Sequence, residues 1–400
     1  MDPAKLIRSN DLCSQKPPTT GKTALDALKS ASNAIVQKLL RVAPQDECAG
    51  NTVDLDGINE VEGVTLLAKG GYNMVWLVKL DDCYEITVDV EDKNDSLLPK
   101  QYFVDRFILR VPCDNTLLPY QVTNEVASRK FVAAKLPHIP VPKIFFYHAT
   151  SLPGQSFIVE EYIDGPPLST IWMTLTLPQK EIFADTLSTI TLDLAETRFN
   201  FIGGLNINGL TPAPTVEGCK LFKRRDKFHS EDFYPIGPYK STKEYILACY
   251  EREICYYTHA PEHDIDEDLF RETSVQDFIV ELQKKRDSIA RIDMTDEPFS
   301  LVHGDLHGRN ILTKNGEISA FIDWEFAGSY PLSETLTDGG IDVVEPNSME
   351  LDEENLIWNI KICNLIRRKA KERLWPQNEV DLLMGDGNPE LGIARSEMFP

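Results

Sequence analysis

The chain has 400 residues, of which 42% are hydrophobic and 26% are charged, as in ordinary globular proteins. Its 63 acidic residues outnumber its 41 basic ones and give a net charge of −22, which argues against a nucleic-acid-binding protein and against adsorption to an anionic membrane. The same negative field would attract a cationic small molecule, although many proteins are acidic only for solubility.

The cysteines and the apolar runs indicate a reduced compartment. The eight cysteines form no C-x-x-C pair, so neither a zinc ribbon nor a disulfide scaffold is predicted, and we expect a cytoplasmic location. No apolar run approaches the roughly 18 residues that span a bilayer, and the N-terminus lacks the apolar core of a secretory signal. Basic residues outnumber acidic ones in the first 41 positions, which leaves a mitochondrial transit segment as the alternative.

Residues 1–59 predict an N-terminal extension. Its first 20 or so residues are polar and rich in turn formers. A short amphipathic helix is predicted over 23–40, and we expect it to pack against the body of the protein. The helix is indicated by apolar residues at helical spacing: Leu25, Leu28, Ile35 and Leu39.

Residues 60–163 carry the patterns of several strands and one helix. Two β-prone runs joined by Gly70 and Gly71 predict a hairpin over 64–78. The Asp-rich stretch 81–105 predicts a surface insertion.

A strand over 107–112 follows, with the single cation Arg110 in an otherwise apolar run. A helix over 120–136 carries Glu125. A last strand begins at Ser156 and ends at a Gly/Pro-rich linker near 163–168.

The remainder, residues 164–400, predicts a mainly helical part because apolar residues recur there at three- and four-residue intervals. The predicted helices cover 178–198, 241–259, 274–291 and 355–374. An acidic tract over 338–354 precedes the last of them and is expected to be solvated.

The most informative stretch is 301–312, LVHGDLHGRNIL, which is followed by FIDWE at 321–325. Apolar runs enclose a polar cluster, which predicts strands with catalytic side chains on the loop between them. Asn310 follows Asp305 by five positions and precedes Asp323 by thirteen. Kinase-type phosphotransferases use this spacing, with one Asp accepting the proton of the substrate hydroxyl and an Asn and a later Asp holding magnesium on the nucleotide phosphates. We therefore predict Asp305 as catalytic and Asn310 and Asp323 as metal ligands.

Other polar residues flank this cluster. His303 is expected to support the loop through hydrogen bonds rather than to transfer a proton. His307 and Arg309 lie near the predicted reaction centre. For Arg309, neutralisation of phosphate charge and a structural role stay equally open. Glu325 would face the same way as Asp323 if the strand continues past it.

These motifs resemble the aminoglycoside phosphotransferase and choline kinase superfamily, especially its fungal branch, over about residues 60–375. The resemblance implies a two-lobed α+β fold like that of protein kinases, with a small antiparallel-sheet N-lobe at 60–163 and a mainly helical catalytic and acceptor-binding C-lobe at 164–400. It also implies transfer of a phosphoryl group from ATP, with Mg²⁺, to a hydroxyl of a small molecule. The carboxylates of the C-terminal part would suit an amine-bearing acceptor and would equally suit a solvated surface. The motif HGDLH, where many protein kinases have HRDL, favours a small-molecule acceptor over a protein.

The resemblance further implies a phosphate site. Gly70 and Gly71 would lie over the nucleotide phosphates, where glycine lets backbone N–H groups approach closely. Arg110 stands where kinases place a Lys that pairs with the α- and β-phosphates, and Glu125 would be its ion-pair partner. Arg is always charged and can hold a phosphate through two hydrogen bonds, so the role is chemically feasible with altered geometry.

The nucleotide base would bind at the linker. By the resemblance, the carbonyl of Glu161 and the amide of Ile163 face the base. Glu160 departs from the bulky apolar residue often found beside the adenine pocket. Either its side chain points away from the pocket or the nucleotide preference differs, so ATP and GTP both remain open.

Two alternatives stay open at this point. The pattern His303-x-Asp305-x-His307 places metal-capable side chains alternately along the chain, as a metal-dependent hydrolase would require. A non-catalytic relative that binds a nucleotide or a partner is kept open by Arg110 and Glu160. For a phosphotransferase we expect a small-molecule substrate with a hydroxyl group, and neither a nucleic acid, nor a membrane, nor an obligatory protein partner.

Overall fold

The structure, a computed structural model, describes residues 61–91, 97–113, 117–151, 155–207, 211–220, 222–336 and 340–400. The chain divides into two compact units, with the boundary between Asp164 and Gly165. The predicted N-terminal extension, with the helix expected over 23–40, lies outside the described residues.

The first unit contains a five-stranded antiparallel sheet in the order β1-β2-β3-β5-β4. Its elements are β1 (Val61–Lys69), β2 (Asn73–Glu91), β3 (Leu97–Pro112), α1 (Tyr120–Lys135), β4 (Ile144–His148) and β5 (Phe157–Glu161). Alternate residues of β2, such as Trp76 and Val78, are buried in one cluster with Leu109 of β3 and Val159 of β5. Because side chains alternate between the faces of a strand, this pattern gives the sheet one buried face.

The surface insertion predicted over 81–105 has regular structure in the residues that the structure describes. Strands β2 and β3 continue through this stretch as a long hairpin, with Tyr84 opposite Val104 and Val88 opposite Lys100. Its acidic composition indicated a loop, but cross-strand pairing and the burial of alternate apolar side chains outweigh that local tendency.

The second unit is mainly helical. Its helices are α2 (Leu168–Ile171), α3 (Leu177–Glu196), α4 (Thr242–His259), α5 (Val275–Arg291), α6 (Met349–Glu372), α7 (Gln377–Leu383) and α8 (Pro389–Arg395). Its strands are β6 (Arg198–Phe199), β7 (Gly204–Leu205), β8 (Pro212–Ala213), β9 (Phe299–Val302), β10 (Ile311–Lys314), β11 (Glu317–Phe321) and β12 (Gly328–Pro331). They form a three-stranded sheet in the order β12-β9-β6 and the pairs β10-β11 and β7-β8.

Serine caps decide where three of these helices begin. Ser241, Ser274 and Ser348 each accept a hydrogen bond from a backbone N–H in the first turn of α4, α5 and α6. Helix α6 therefore begins six positions before the predicted start and takes in part of the acidic tract. The acids Glu350 and Asp352 lie in its first turn, where the helix dipole favours negative charge.

The predicted architecture is confirmed: a small antiparallel sheet with one helix is followed by a mainly helical part. Among the residues with described structure, no helix is both long and apolar enough to cross a membrane.

Candidate active site

The predicted strand, loop and strand are present in the second unit. Strand β9 is fully buried and ends at Val302, directly before His303, and β10 begins at Ile311. The backbone N–H of Ile322 donates to the carbonyl of Asn310 at 2.9 Å, so the segment that carries Asp323 lies against the end of the loop. The fold thus brings the loop of Asp305 and the segment of Asp323 together.

The carboxylate of Asp305 is held by its own loop. Asn310 donates from Nδ2 to Asp305 Oδ2 and to the Asp305 carbonyl, both at 2.8 Å. His307 Nε2 lies 2.8 Å from Asp305 Oδ1. Arg309 Nη2 is 3.4 Å from both carboxylate oxygens. These contacts fix the rotation of the carboxylate.

The electrostatics of the loop keep Asp305 ionised. Burial opposes its charge, but the hydrogen bond from His307 and the positive charges of His307 and Arg309 outweigh burial and lower the pKa of Asp305 to about 2. His303 behaves differently because burial lowers its pKa to about 4, despite the neighbouring carboxylates. Asp305 is therefore negative and His303 neutral at pH 7.

His303 supports the loop, as predicted. Its side chain is buried, and its Nδ1 accepts a hydrogen bond of 3.3 Å from the backbone N–H of Asp305. Its ring centroid lies 4.3 Å from that of Trp324.

The chain turns sharply at Asp323, which has φ 68° and ψ 52° in the left-handed region. Asp tolerates this conformation better than most residues. Strand β11 ends at Phe321, and one 3₁₀ turn follows at Trp324–Phe326. The strand therefore does not continue to Glu325, as its predicted orientation beside Asp323 required, and Glu325 is buried in the turn.

In the first unit, the predicted ion pair is present. Arg110 Nη1 on β3 lies 2.8 Å from Glu125 Oε1 on α1, and both side chains are buried. The structure adds a second pair that the sequence did not indicate. Arg129 Nη1 contacts the carboxylate of Glu160 and lies 3.5 Å from Glu125 Oε1. Its Nη2 donates to the carbonyl of Pro142 at 2.6 Å.

This second pair explains how a carboxylate is tolerated at 160. Glu160 is 5% exposed and is neutralised by Arg129 within the first unit. The available sequence signal was the spacing of Glu125 and Arg129, which are four residues apart and thus on one face of α1.

The other predicted nucleotide-binding residues lie at strand ends of the first unit. Gly70 begins the β1–β2 turn, and its N–H donates to the Asn73 carbonyl at 2.9 Å. Neither Gly70 nor Gly71 has a positive φ, and a Cβ at Gly71 would meet no described atom within 4 Å. Glu161 ends β5 and forms an ion pair of 2.7 Å with Lys143. Ile163 follows the strand and is half-buried.

The hydrolase alternative finds little support in this geometry. Among the described residues, no group of three or more His, Cys, Asp or Glu side chains could hold a metal ion. His303 is engaged with the backbone of Asp305, and His307 is engaged with its carboxylate.

A cavity of about 250 Å³ opens beside Asp305 within the second unit. The end of β9 and the loop 303–309 form one side of the cavity. Residues of α3 and of the stretches 334–335 and 340–346 form the others. A small molecule in this cavity would contact Asp305 directly.

Residues 96–360 match the model of the phosphotransferase enzyme family. The chain belongs to this family. The match confirms the resemblance found in the sequence and makes the protein a kinase-like member of the phosphotransferases.

Relatives of this phosphotransferase are known in fungi. The chain is 32% identical over 113 residues to the Kluyveromyces lactis altered inheritance of mitochondria protein 9, mitochondrial, a match to 25% of this chain and 18% of that protein. It is 26% identical over 206 residues to an Aspergillus fumigatus subtelomeric hrmA-associated cluster protein, a match to 48% of this chain and 36% of that protein. The matches therefore span well under two thirds of these relatives.

Solved structures of aminoglycoside phosphotransferases are also similar. A thermostable mutant of APH(4)-Ia aligns with 85% of this chain and 94% of its own, at 15% identity and a TM-score of 0.42. The gentamicin complex of APH(2'')-IIa aligns with 84% of this chain and 96% of its own, at 12% identity and a TM-score of 0.42.

Proposed function

We propose that the protein transfers the γ-phosphoryl group of ATP to a hydroxyl of a small molecule, with Asp305 as the catalytic residue. The observation that carries the proposal is the carboxylate of Asp305, which lines a cavity and is held by His307 and Asn310. Membership of the phosphotransferase family supports the reaction class.

Asp305 would act on the acceptor hydroxyl. The acceptor oxygen forms a bond to the γ-phosphorus, the bond to the β–γ bridging oxygen breaks, and ADP leaves with that electron pair. The hydroxyl proton passes to Asp305. Because a carboxylate with a pKa of about 2 is a weak base, Asp305 would first orient the hydroxyl and take the proton late.

Asn310 and Asp323 would hold Mg²⁺. Both hydrogen bonds of the Asn310 amide to Asp305 run from Nδ2, which leaves the Oδ1 oxygen to serve a cation. The carboxylate of Asp323 adds a second oxygen ligand of the type that Mg²⁺ prefers. Bound magnesium would shield the negative charge of the phosphates.

The nucleotide-binding residues are proposed in the first unit. Arg110, held by Glu125, would bind phosphate oxygens. Gly70 and Gly71 lie at the β1–β2 turn, where glycine would let backbone N–H groups approach the phosphates closely. The Glu161 carbonyl and the Ile163 amide would bind the base.

The charge of the cavity beside Asp305 bears on the acceptor. Asp305 and Asp342 line one cavity in a chain of net charge −22, which supports an acceptor that carries an amine as well as a hydroxyl. We place the protein in the cytoplasm. A mitochondrial location is the alternative, and it is supported by the name of one relative, altered inheritance of mitochondria protein 9, mitochondrial.

The test is a phosphorylation screen with Mg·ATP over amino sugars, amino alcohols and cell extracts, read by mass spectrometry. We expect a product 80 Da heavier than its acceptor, and a loss of about 10²- to 10⁴-fold in turnover for Asp305→Asn. The control is Asp352→Asn, an exposed Asp on α6. Unchanged turnover in Asp305→Asn would refute the assignment of the base.

A thermal-shift assay with Mg·ATP, combined with the turnover measurement, distinguishes the non-catalytic alternative from the enzyme. Stabilisation of the protein without turnover of any acceptor would identify a binding protein. No stabilisation at all would argue against a nucleotide site.

A further inference from the structure

Helix α6 exposes large apolar side chains on the side that faces away from its packing partners. Its buried side, which includes Trp358 and Ile362, packs within the second unit. On the opposite side Leu356 is 61% exposed, Ile360 is 55% exposed and Met349 is 89% exposed. A single exposed apolar residue is ordinary, but three on one side of one helix mark a surface that another protein surface could cover.

These apolar residues belong to a symmetric row of exposed side chains on α6. The intervals along the row are the same in both directions from Ile360, first four positions, then three, then four. At 3.6 residues per turn, every member points within about 40° of the direction of Ile360. We call this row the α6 stripe, and it consists of Met349, Glu353, Leu356, Ile360, Asn364, Arg367 and Lys371.

The charges of α6 divide between its two ends. The exposed acids of the first part are Glu350, Asp352 and Glu353, and the exposed bases of the last part are Arg367, Arg368 and Lys371. Arg367 Nη1 donates to Asn364 Oδ1 at 3.3 Å, so its guanidinium group lies along the α6 stripe. Arg368 lies 3.6 Å from Glu372 of the same helix, which leaves Arg367 and Lys371 as the bases of the stripe.

We propose that a second copy of this chain docks on the α6 stripe, with the two α6 helices antiparallel across a twofold axis at Ile360. Glu353 then lies opposite Arg367 of the partner subunit, and the twofold axis repeats this contact. The apolar centre formed by Leu356 and Ile360 meets the same centre of the other protomer. Each α6 stripe thus covers the other with an apolar middle and opposite charges at both ends.

The distribution of charge favours this occupant over others. Parallel helices would place acids against acids and bases against bases, which is repulsive. A uniformly basic partner would match only the acidic end of α6, and a uniformly acidic partner would match only the basic end. An antiparallel second copy matches both ends at once. The inference is independent of the proposed phosphotransferase function.

Sedimentation equilibrium of the full chain measures the dissociation constant of the dimer. One helix face is smaller than a standard protein interface, so we expect a dissociation constant of about 10–100 µM and a monomer in dilute solution. Salt of about 0.15 M limits the repulsion between two chains of net charge −22. Circular dichroism establishes that each variant is folded.

The first variant is Ile360→Glu, which places two carboxylates at the twofold axis and should weaken the dimer about tenfold or more. Its matched control is Ile182→Glu on α3, where the isoleucine is 60% exposed and lies outside the α6 stripe. This control adds the same charge to the chain and should leave the dissociation constant unchanged.

Charge reversal tests the antiparallel arrangement. Glu353→Arg and Arg367→Glu should each weaken the dimer about tenfold, because each creates two like-charge contacts. The double variant exchanges the two charges and should restore the affinity of the wild type. A bulk effect of net charge would instead shift the two single variants in opposite directions.

Four results would overturn the inference. They are a wild type that stays monomeric at about 500 µM, well above the expected dissociation constant, a dimer that Ile360→Glu leaves intact, a double variant no tighter than the single ones, and a monomer in which Lys371 cross-links to another segment of the same chain. The last result would show that the chain covers the α6 stripe itself. None of these results bears on the phosphorylation screen, so the two proposals fail separately.

Discussion

The carboxylate of Asp305 has a hydrogen-bond partner on each oxygen, His307 on Oδ1 and Asn310 on Oδ2. One bond would leave the carboxylate free to rotate, whereas two bonds in different directions define its plane. The remaining lone pairs can then meet an acceptor hydroxyl in a constant direction. If Asp305 is the catalytic residue as proposed, His307 is a positioning residue for its carboxylate.

Replacement of His307 should therefore affect turnover more than binding. We expect His307→Ala to lower kcat about tenfold or more with little change in the KM for ATP, because the carboxylate loses one of its two supports. His307→Gln, which keeps a donor, should recover part of the loss. Steady-state kinetics with the acceptor from the screen gives both constants.

A double-mutant cycle provides the control for this prediction. If His307 acts through Asp305, His307→Ala should cost little more once Asp305→Asn is present. Additive losses would show that His307 has a separate role.

At the level of elements, the close approach of the loop 303–310 to the segment 340–346 depends on a glycine. Gly308 donates to the carbonyl of Asp342, and a Cβ at Gly308 would clash with the carbonyl oxygen of Val343. Both partners are backbone groups. The segment 340–346 is also fixed by Asn355, whose Oδ1 accepts a hydrogen bond from the Val343 N–H. No flexible side chain is therefore present to absorb the clash.

Gly308→Ala should consequently destabilise the second unit by about 1–3 kcal/mol and reduce turnover. The matched control is Gly392→Ala in α8, where a Cβ meets no described atom within 4 Å and helix propensity favours Ala. Urea unfolding of the two variants measures the difference. If Gly308→Ala and Gly392→Ala were equally stable, the loop 303–310 could move away from the segment 340–346 without loss of stability.

A buried carboxylate ties an irregular segment of the second unit to two of its helices. Glu217 contacts Tyr245 of α4 and Arg395 of α8, and it lies 2.9 Å from Lys220 Nζ. Burial alone would raise the pKa of Glu217, but the charges of Lys220 and Arg395 and the hydrogen bond from Tyr245 lower it to about 2. The folded state therefore favours the ionised form.

This pKa predicts a pH-dependent contribution to stability. The pKa is lower in the folded protein than the ordinary 4.5, so the contribution is present in full above about pH 4.5 and is lost as the pH falls toward 2. We expect Glu217→Gln to reduce the free energy of unfolding by about 3 kcal/mol at pH 7. The difference from the wild type should shrink below pH 4.5, whereas the exposed control Glu353→Gln should show no such trend.

At the scale of the whole molecule, each unit has its own core and its own buried ion pairs. In the first unit, Arg110, Glu125, Arg129 and Glu160 form a chain of alternating charges. Removal of one member leaves an opposite charge buried without compensation, whereas removal of a pair does not. The two units should therefore respond separately to substitutions.

Calorimetry of the full chain tests this independence. Arg129→Met should destabilise the first unit by about 3–5 kcal/mol, and the pair Arg129→Met with Glu160→Met should recover most of that loss. Glu217→Gln should lower a different transition, that of the second unit. If both variants shifted one common transition by the same amount, the units would unfold together.

The family and the order of the main elements could be predicted from the sequence alone. Asp305, Asn310 and Asp323 lie within one short stretch, and the roles proposed for them are inferred from fixed spacings along the chain. Three features appear only in the tertiary structure. They are the ion pair of Arg129 with Glu160, the continuation of β2 and β3 through 81–105, and the hydrogen bond from Val343 to Asn355. These depend on side-chain directions and on partners from other elements, which local composition does not encode. The loop 303–310 could be predicted because its polar residues lie close together in the sequence. The cavity beside Asp305 could not, because its lining comes from segments that meet only in the folded chain.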